Sequence, residues 1–344
     1  MYLQSLASAF PDACYTQREC WEFFRPVVQT SLNRRSVKVL ETVLNGASGI
    51  DTRHFALAPS SLFGLDAQAL NHAFEREAPI LASKALEKAC HEAGVLPASL
   101  DALFVCTCSG YLCPGVSSHL AEKAGLRSDT FLSDLGGLGC GAAIPLMHAA
   151  GGFLALHPDA LVATVAVEIC SAAFYLDDDD GVLVSACLFG DGASAALWRG
   201  RDAGGQWKAS HFRSVHLPEN REAIRFVNAG GKLRNQLHKT VPQIAGQAVE
   251  DLYAQRTGTP DCMITHTGGR DVITEIEKRF PQYPLTDTRE TLRKYGNLSS
   301  PSVLVALEQR LAKIKDEDYL WLASFGAGFA AHSCELKRTA KSNL

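Results

Sequence analysis

Eleven cysteines and eleven histidines are spread through this chain of 344 residues, and one cysteine stands where a thiol becomes reactive. Cys140 lies in Gly136-Gly137-Leu138-Gly139-Cys140-Gly141, directly before a helix expected over 142–156. Free backbone N–H groups and the positive end of the helix dipole at such a start lower a thiol pKa, and the thiolate is the nucleophilic form. Gly139 and Gly141 permit a tight turn and close approach by a substrate. The alternative at this position is a structural cysteine buried at a helix start. A nucleophile also needs a base and a place for developing negative charge. His266 ends the apolar run 261–266 and is followed by Thr267-Gly268-Gly269, so its imidazole can face a cleft. Asn297 occupies the turn Tyr295-Gly296-Asn297-Leu298-Ser299-Ser300 before another helical stretch, where its ordinary role is an N-cap. Each residue alone is more often structural; taken together they compose a Cys–His–Asn site.

The other candidate chemistries are weaker. Cys106, Cys108, Cys170, Cys187 and Cys262 sit in apolar runs, where cysteine behaves as a small buried hydrophobe. Cys106-x-Cys108-x4-Cys113 lacks the second knuckle of a zinc site, and no metal is expected. The acidic run 177–180 reads as a solvated loop, with a cation site as the alternative. His54, His119 and His148 show no partner pattern.

Three elements of context must position the Cys, His and Asn. An early region is expected to be helical over 21–43 and 69–93, interrupted by Pro26 and Pro79. Short apolar runs then alternate with helical stretches, the texture of an α/β fold with a buried sheet. Strands are expected over 101–108, 130–132, 159–167, 192–198, 261–266 and 318–324. The order strand, glycine turn, helix, glycine-containing turn, helix, strand occurs twice about 160 residues apart. This predicts two related halves, 1–200 carrying the Cys and 208–344 carrying the His and Asn, joined near 199–207. Cys140 and Asn297 would then open related helices, with Cys108 and Ser109 near the counterpart of His266, around one shared cleft.

Composition narrows the class. At 47% hydrophobic and 20% charged the chain is globular rather than disordered. A net charge of −4, from 33 basic and 37 acidic residues, gives no electrostatic case for nucleic acid. No stretch approaches the roughly 18 apolar residues of a membrane helix, so no membrane is expected as a partner. The first twelve residues carry neither a basic region nor a long apolar run, so a cytoplasmic location with reduced thiols is expected.

The motifs GGLGCGAA around Cys140, LFGDGASAAL around Phe189, THTGGRDVI around His266 and YGNLSSPSV around Asn297 resemble the type III polyketide synthases, the chalcone/stilbene synthase superfamily. The resemblance runs from SGIDTRHFAL near residue 50 through VCTCSGYLCPG to SFGAGF, and SGIDTRHF and VEICSAAFYL are closest in character to bacterial members. It implies a thiolase fold, α/β with duplicated βαβαβαββ halves in a layered αβαβα arrangement. It implies a homodimer acting on an acyl-CoA starter and malonyl-CoA, with CoA thioesters as substrates and no cofactor. Cys140 would carry the acyl chain, while His266 and Asn297 would hydrogen-bond the malonyl thioester carbonyl during decarboxylation. Phe189 would be a gatekeeper between CoA tunnel and cavity, and the second gatekeeper position would hold Asn235. Cys108, Cys170 and Ala173 would line the cavity at positions where plant relatives carry threonine, and Cys113 would stand for a methionine that crosses the dimer interface. Arg53, Arg34, Arg35 and Lys38 would be the candidates for CoA phosphates, and Glu168 would support the site from behind. The product would be a pyrone, resorcinol or related aromatic. The alternatives are a dihydroxyphenylacetyl-CoA-type synthase using malonyl-CoA only, or a ketoacyl-carrier-protein synthase III, whose usual His-Gln-Ala-Asn stretch is absent here. A silent scaffold and a Cys hydrolase are the more distant alternatives.

Overall fold

The computed structural model describes residues 1–202 and 207–339. Thirteen strands are described: β1 (Tyr2–Ala9), β2 (Cys14–Thr16), β3 (Thr52–His54), β4 (Ala102–Cys106), β5 (Phe131–Leu135), β6 (Leu161–Glu168), β7 (Gly192–Arg199), β8 (Trp207–His216), β9 (Ile224–Ala229), β10 (Lys232–Leu237), β11 (Cys262–Thr265), β12 (Tyr319–Gly326) and β13 (Ala330–Arg338). Nine form one sheet in the order β11-β12-β13-β8-β1-β7-β6-β4-β5. Strands β4, β6 and β12 are buried along their whole length, which is why they read as continuous apolar runs rather than alternating ones.

The sheet contains the expected repeat. Running outward from β1, the first half places β7, β6, β4 and β5; running outward from β8, the second places β13, β12 and β11. In each half the strand that comes last in the chain, β7 or β13, is antiparallel to both its neighbours, and the pairs β4–β6 and β11–β12 are parallel. The second half differs at its edge, where no strand corresponding to β5 occurs among the described residues. The halves meet where Tyr2 and Leu3 pair with Lys208 and Trp207. Residues 203–206 of the expected join lie outside the described residues.

Two helices carry the site. Ala143–Leu156 and Ser302–Leu311 share one core, in which Ile144, Met147, Val303 and Leu307 pack with β4, β6 and β12. They therefore form a layer between strands of both halves, and their N-terminal ends bring residues near 140 and 297 together.

Three expectations need correction. Helices Gln17–Ser31 and Ala67–Ala93 run through Pro26 and Pro79 without ending there. A proline removes one intrahelical hydrogen bond, and tertiary packing of the fully buried face around Pro79 offsets that loss. Strand β1 was not expected: YLQSLASA has no β-branched residue, and its strand state comes from pairing with β7. The hairpin β9–β10 is likewise an addition, and it places Asn235 directly opposite Phe226.

Candidate active site

Cys140 lies in the short turn Gly139–Gly141 that feeds the helix Ala143–Leu156, and its side chain is buried. Gly139 takes a φ of +57°, which a side chain would strain. The turn is held from β12 and the loop after it. Ser324 Oγ donates to the Gly141 carbonyl at 2.8 Å, and Gly326 lies flat against the turn. A Cβ at Gly326 would stand 2.6 Å from the Gly141 nitrogen, 2.8 Å from the Leu138 oxygen and 2.9 Å from the Cys140 nitrogen. Gly326→Val is therefore expected to push the nucleophile turn out of place. It should lower stability by about 1–3 kcal/mol through overpacking and remove most activity; an unchanged melting temperature and rate would contradict this packing.

His266 follows β11, fixed by its backbone N–H donating to the Ala323 carbonyl at 2.8 Å. Its ring meets Phe325 edge-on at 5.0 Å, and its buried Nδ1 has no partner among the described residues. Asn297 is oriented at both ends of its amide. Its Nδ2 donates to the Gly268 carbonyl at 2.7 Å, and its Oδ1 accepts from the Ser299 backbone N–H at 2.8 Å. One N–H of the amide remains to donate elsewhere. The backbones of Asn297 and Phe189 form a parallel bridge, so gatekeeper candidate and amide are mechanically tied.

The electrostatics favour a thiolate at Cys140. Its pKa is held well below the ordinary value of 9.0, first by the neighbouring Cys108 thiol, then by the His266 imidazole and the Ser299 hydroxyl, against the opposing effect of burial. Cys108 moves in the opposite direction, so it remains a protonated donor. Ser299 Oγ lies 3.2 Å from Cys140 Sγ and 3.1 Å from Cys108 Sγ. It reaches both because its backbone sits at φ +57°, an uncommon conformation outside glycine. Ser299 was not singled out in the sequence, although it stands in the GNLSS segment.

Glu168 is completely buried at the end of β6. It accepts from the Cys108 and Ser109 backbone N–H groups at 3.0 and 2.9 Å and from Ser300 Oγ at 2.6 Å. Burial pushes its carboxyl up, and the Ser300 and Ser109 hydrogen bonds work against that rise. With a longer contact to Ser299 Oγ at 3.3 Å, it ties together the two loops that carry Cys108 and Ser299.

Three cavities surround these residues. An outer one of about 380 Å³ is lined by Phe189, His266, Asn297 and Phe325 and also by His238, Lys239 and Arg270. An inner one of about 50 Å³ is lined by Phe189, Cys170, Ala173, Asn235 and Arg53, among several aromatic rings. A third, of about 560 Å³, reaches Cys108, Gly139 and Ala327. Phe189 stands in the wall of both outer and inner cavities; Phe226 does so for inner and third. Asn235 is buried and donates to Ser185 Oγ at 3.0 Å, so the aromatic ring at this mouth comes from Phe226 across the hairpin.

Other site expectations change. Arg53 is 1% exposed and hydrogen-bonded to the carbonyls of Ala186 and Phe189, which takes it away from any surface phosphate site. Cys113 is exposed and lines none of these three cavities. Arg34, Arg35 and Lys38 lie on the helix Arg34–Thr42; Lys38 pairs with Glu41, while Arg35 pairs with Asp180 in the outer cavity wall. Three of the four carboxylates of the acidic run meet protein cations: Asp177 and Asp179 meet Arg234 and Asp180 meets Arg35, while Asp178 accepts from the Asn33 backbone N–H at 3.0 Å. Lys239 and Arg270 also line the outer cavity, a placement that isolated basic residues do not announce in the sequence.

The comparisons with known proteins agree with this geometry. Residues 12–252 match the family model for FAE1/type III polyketide synthase-like proteins, and residues 255–338 match that for the C-terminal part of 3-oxoacyl-[acyl-carrier-protein] synthase III. The chain is 28% identical over 340 residues to 1,3,6,8-tetrahydroxynaphthalene synthase of Streptomyces peucetius subsp. caesius, covering 94% of this chain and 89% of that protein. It is 30% identical over 310 residues to 3,5-dihydroxyphenylacetyl-CoA synthase of Amycolatopsis balhimycina, covering 85% and 82%. Among solved structures, tetrahydroxynaphthalene synthase of Streptomyces coelicolor superposes with a TM-score of 0.85 at 25% identity over 99% of this chain and 100% of that one. PKS-I of the brown alga Ectocarpus siliculosus gives a TM-score of 0.88 at 22% identity over 98% of both chains, a likeness of fold. The fold is the duplicated, layered thiolase fold, and no helix among the described residues is long and apolar enough to cross a membrane. With one family model spanning most of its length, the chain belongs to the FAE1/type III polyketide synthase-like family.

Proposed function

We propose that this type III polyketide synthase carries its acyl chain on Cys140 and decarboxylates malonyl-CoA against His266 and Asn297. The observation that carries the proposal is that three buried side chains from three separate loops draw together: His266 and Asn297 line the outer cavity of about 380 Å³, while Cys140 is held as a thiolate by the Cys108 thiol and then the His266 imidazole and reached by Ser299, two residues from Asn297, at 3.2 Å. The Cys140 thiolate attacks the starter thioester carbonyl, a C–S bond forms, and CoA leaves as its thiol after taking a proton. Malonyl-CoA then loses CO₂. The enolate oxygen accepts hydrogen bonds from His266 and from the remaining N–H of Asn297, donors already fixed before charge develops. The enolate carbon attacks the Cys140 thioester, releases the thiolate and lengthens the chain by two carbons; transfer back to Cys140 permits another cycle. CoA thioesters, a thiol, an imidazole and an amide supply every group these steps use, so the reading calls for no cofactor.

Halves 1–200 and 208–344 divide the labour, the first supplying Cys140 and the second His266 and Asn297. Lys239 and Arg270 in the outer cavity wall, with Arg35 paired to Asp180 of that wall, support recognition of CoA phosphates there. The inner cavity supports a short starter, since about 50 Å³ lined by aromatic rings does not hold a long alkyl chain. The 560 Å³ space beyond Cys108 supports a chain that folds before cyclisation. The named relatives point the same way: tetrahydroxynaphthalene and dihydroxyphenylacetyl products bear hydroxyls on alternate ring carbons and no alkyl tail. The expected result from a ladder of acyl-CoA starters is an aromatic product from malonyl-CoA alone, with little incorporation of long acyl chains, read by mass spectrometry. A strict requirement for a carrier protein would overturn the reading in favour of a single-condensation synthase.

A homodimer completes the reading. Phe131 is 49% exposed on the edge strand β5, beside Leu132, and Leu156 is 80% exposed. An apolar sheet edge of this kind is a pairing surface unless covered, and Cys113 would fall to that interface. Phe131→Asp is expected to shift the chain to monomer by light scattering; a wild-type monomer would contradict this assignment. A reducing cytoplasm suits a catalytic thiol.

A further inference from the structure

Among the described residues the buried Arg53 guanidinium has no charged partner. Its Nε donates to Gln17 Oε1 at 2.9 Å, and its Nη1 donates to the carbonyls of Ala186 and Phe189 at 2.8 and 2.9 Å. Its Nη2 is buried and has no hydrogen-bond partner among the described residues. The carbon at the centre of the guanidinium lies 4.9 Å from the Phe55 ring centroid. These partners are neutral, as is the nearby Cys20 thiol, which burial keeps protonated, and a desolvated cation with neutral partners is costly unless an anion completes it. Arg53 is also part of the inner cavity wall, together with Phe55, Cys170 and Phe189. Phe189 separates this space from the one containing His266 and Asn297.

We propose that Arg53 binds the terminal carboxylate of a short, carboxylate-ended acyl starter while the thioester end of that starter is carried on Cys140. The planar fork of a guanidinium matches a carboxylate, and a charge-assisted hydrogen bond formed away from water discriminates strongly against a methyl end. The 50 Å³ cavity fits such a short tail, and the aromatic wall excludes water from the pair. Phe189 gives the arrangement a mechanical link, because the same guanidinium holds the Phe189 carbonyl. The cost of the unpaired charge explains why an arginine here would be kept for a ligand rather than for packing. This inference rests on Cys140 being the acyl carrier.

The test compares two probes of nearly equal size that cannot decarboxylate, succinyl-CoA and butyryl-CoA, with the purified enzyme and no malonyl-CoA. In each case Cys140 would form the thioester and free CoA would be released, read as the mass increase of the intact protein. The wild-type enzyme is expected to acylate at least about tenfold faster with succinyl-CoA, as one charge-assisted hydrogen bond allows. Arg53→Gln is expected to reverse or erase that preference, and Arg53→Lys to retain part of it. Equal or faster acylation of the wild-type enzyme by butyryl-CoA overturns the inference and needs no variant to fold. An acyl adduct from neither probe also overturns the inference, whereas the Cys140 reading fails only if malonyl-CoA too leaves no adduct on Cys140; a butyryl preference leaves that reading standing.

Discussion

Cys140→Ala is expected to lower polyketide formation by about 10⁴-fold or more, on the order of what removing a catalytic nucleophile costs other acyl-transfer enzymes. The loss should come from chemistry rather than unfolding. Only a sulfur is removed, and helix Ala143–Leu156 keeps its packing against Val303, Leu304 and β12. The surrounding hydrogen bonds from Ser324 to Gly141 and from Ser300 to Glu168 do not use the thiol. Thermal unfolding of the variant should fall within about 1–2 kcal/mol of wild type, the scale of deleting one small buried group. Product yield and melting temperature measured on the same preparation separate the two causes. Retained product formation in a folded variant would remove Cys140 from the mechanism.

His266→Ala is expected to act twice, and its pH dependence tells the two effects apart. In the native site the thiolate is favoured by the Cys108 thiol, then by the imidazole and Ser299, while burial opposes it. A pKa held below the usual value leaves the reactive form present at neutral pH. Iodoacetamide should therefore label wild-type Cys140 faster at neutral pH than it labels an ordinary thiol, with the rate dropping only below the lowered pKa. Without the imidazole, burial gains weight and the midpoint moves upward; labelling at pH 7 slows and recovers toward pH 9 and above. Turnover should fall about 10³-fold or more, because an oxyanion donor alone contributes roughly 10²–10³ and thiolate loss adds to it. An unshifted labelling profile would mean that His266 does not tune the thiol.

The candidate constellation stands out in the sequence because each member stands at a punctuated boundary. Gly139-Cys140-Gly141, His266-Thr267-Gly268-Gly269 and Gly296-Asn297 all mark the end of one element and the start of another, where a side chain can face a cleft. The doubled grammar of strands and helices was legible for the same reason, down to the pairing of helices Ala143–Leu156 and Ser302–Leu311. Strand β1 was hidden because its small and polar residues become a strand only through β7, nearly 190 positions away. Arg53 was misplaced because arginine is mostly exposed, and its burial depends on carbonyls from Ala186 and Phe189 more than 130 residues later. The same distance problem concealed Ser299, whose reach to both sulfurs follows from a backbone conformation that residue type does not announce. Phe226, the ring opposite Asn235, emerged only with the register of the β9–β10 hairpin.

The eleven cysteines make one measurement decisive. Wild-type enzyme quenched in acid during turnover with malonyl-CoA, digested and analysed by tandem mass spectrometry, should carry a thioester on the peptide containing Cys140 and on no other cysteine peptide. Lengthening of that adduct by two-carbon ketide steps as quench time increases is the expected companion. An adduct confined to Cys108, Cys170 or another cysteine, or continued product formation with Cys140 unmodified throughout, would contradict Cys140 as the residue that carries the growing chain.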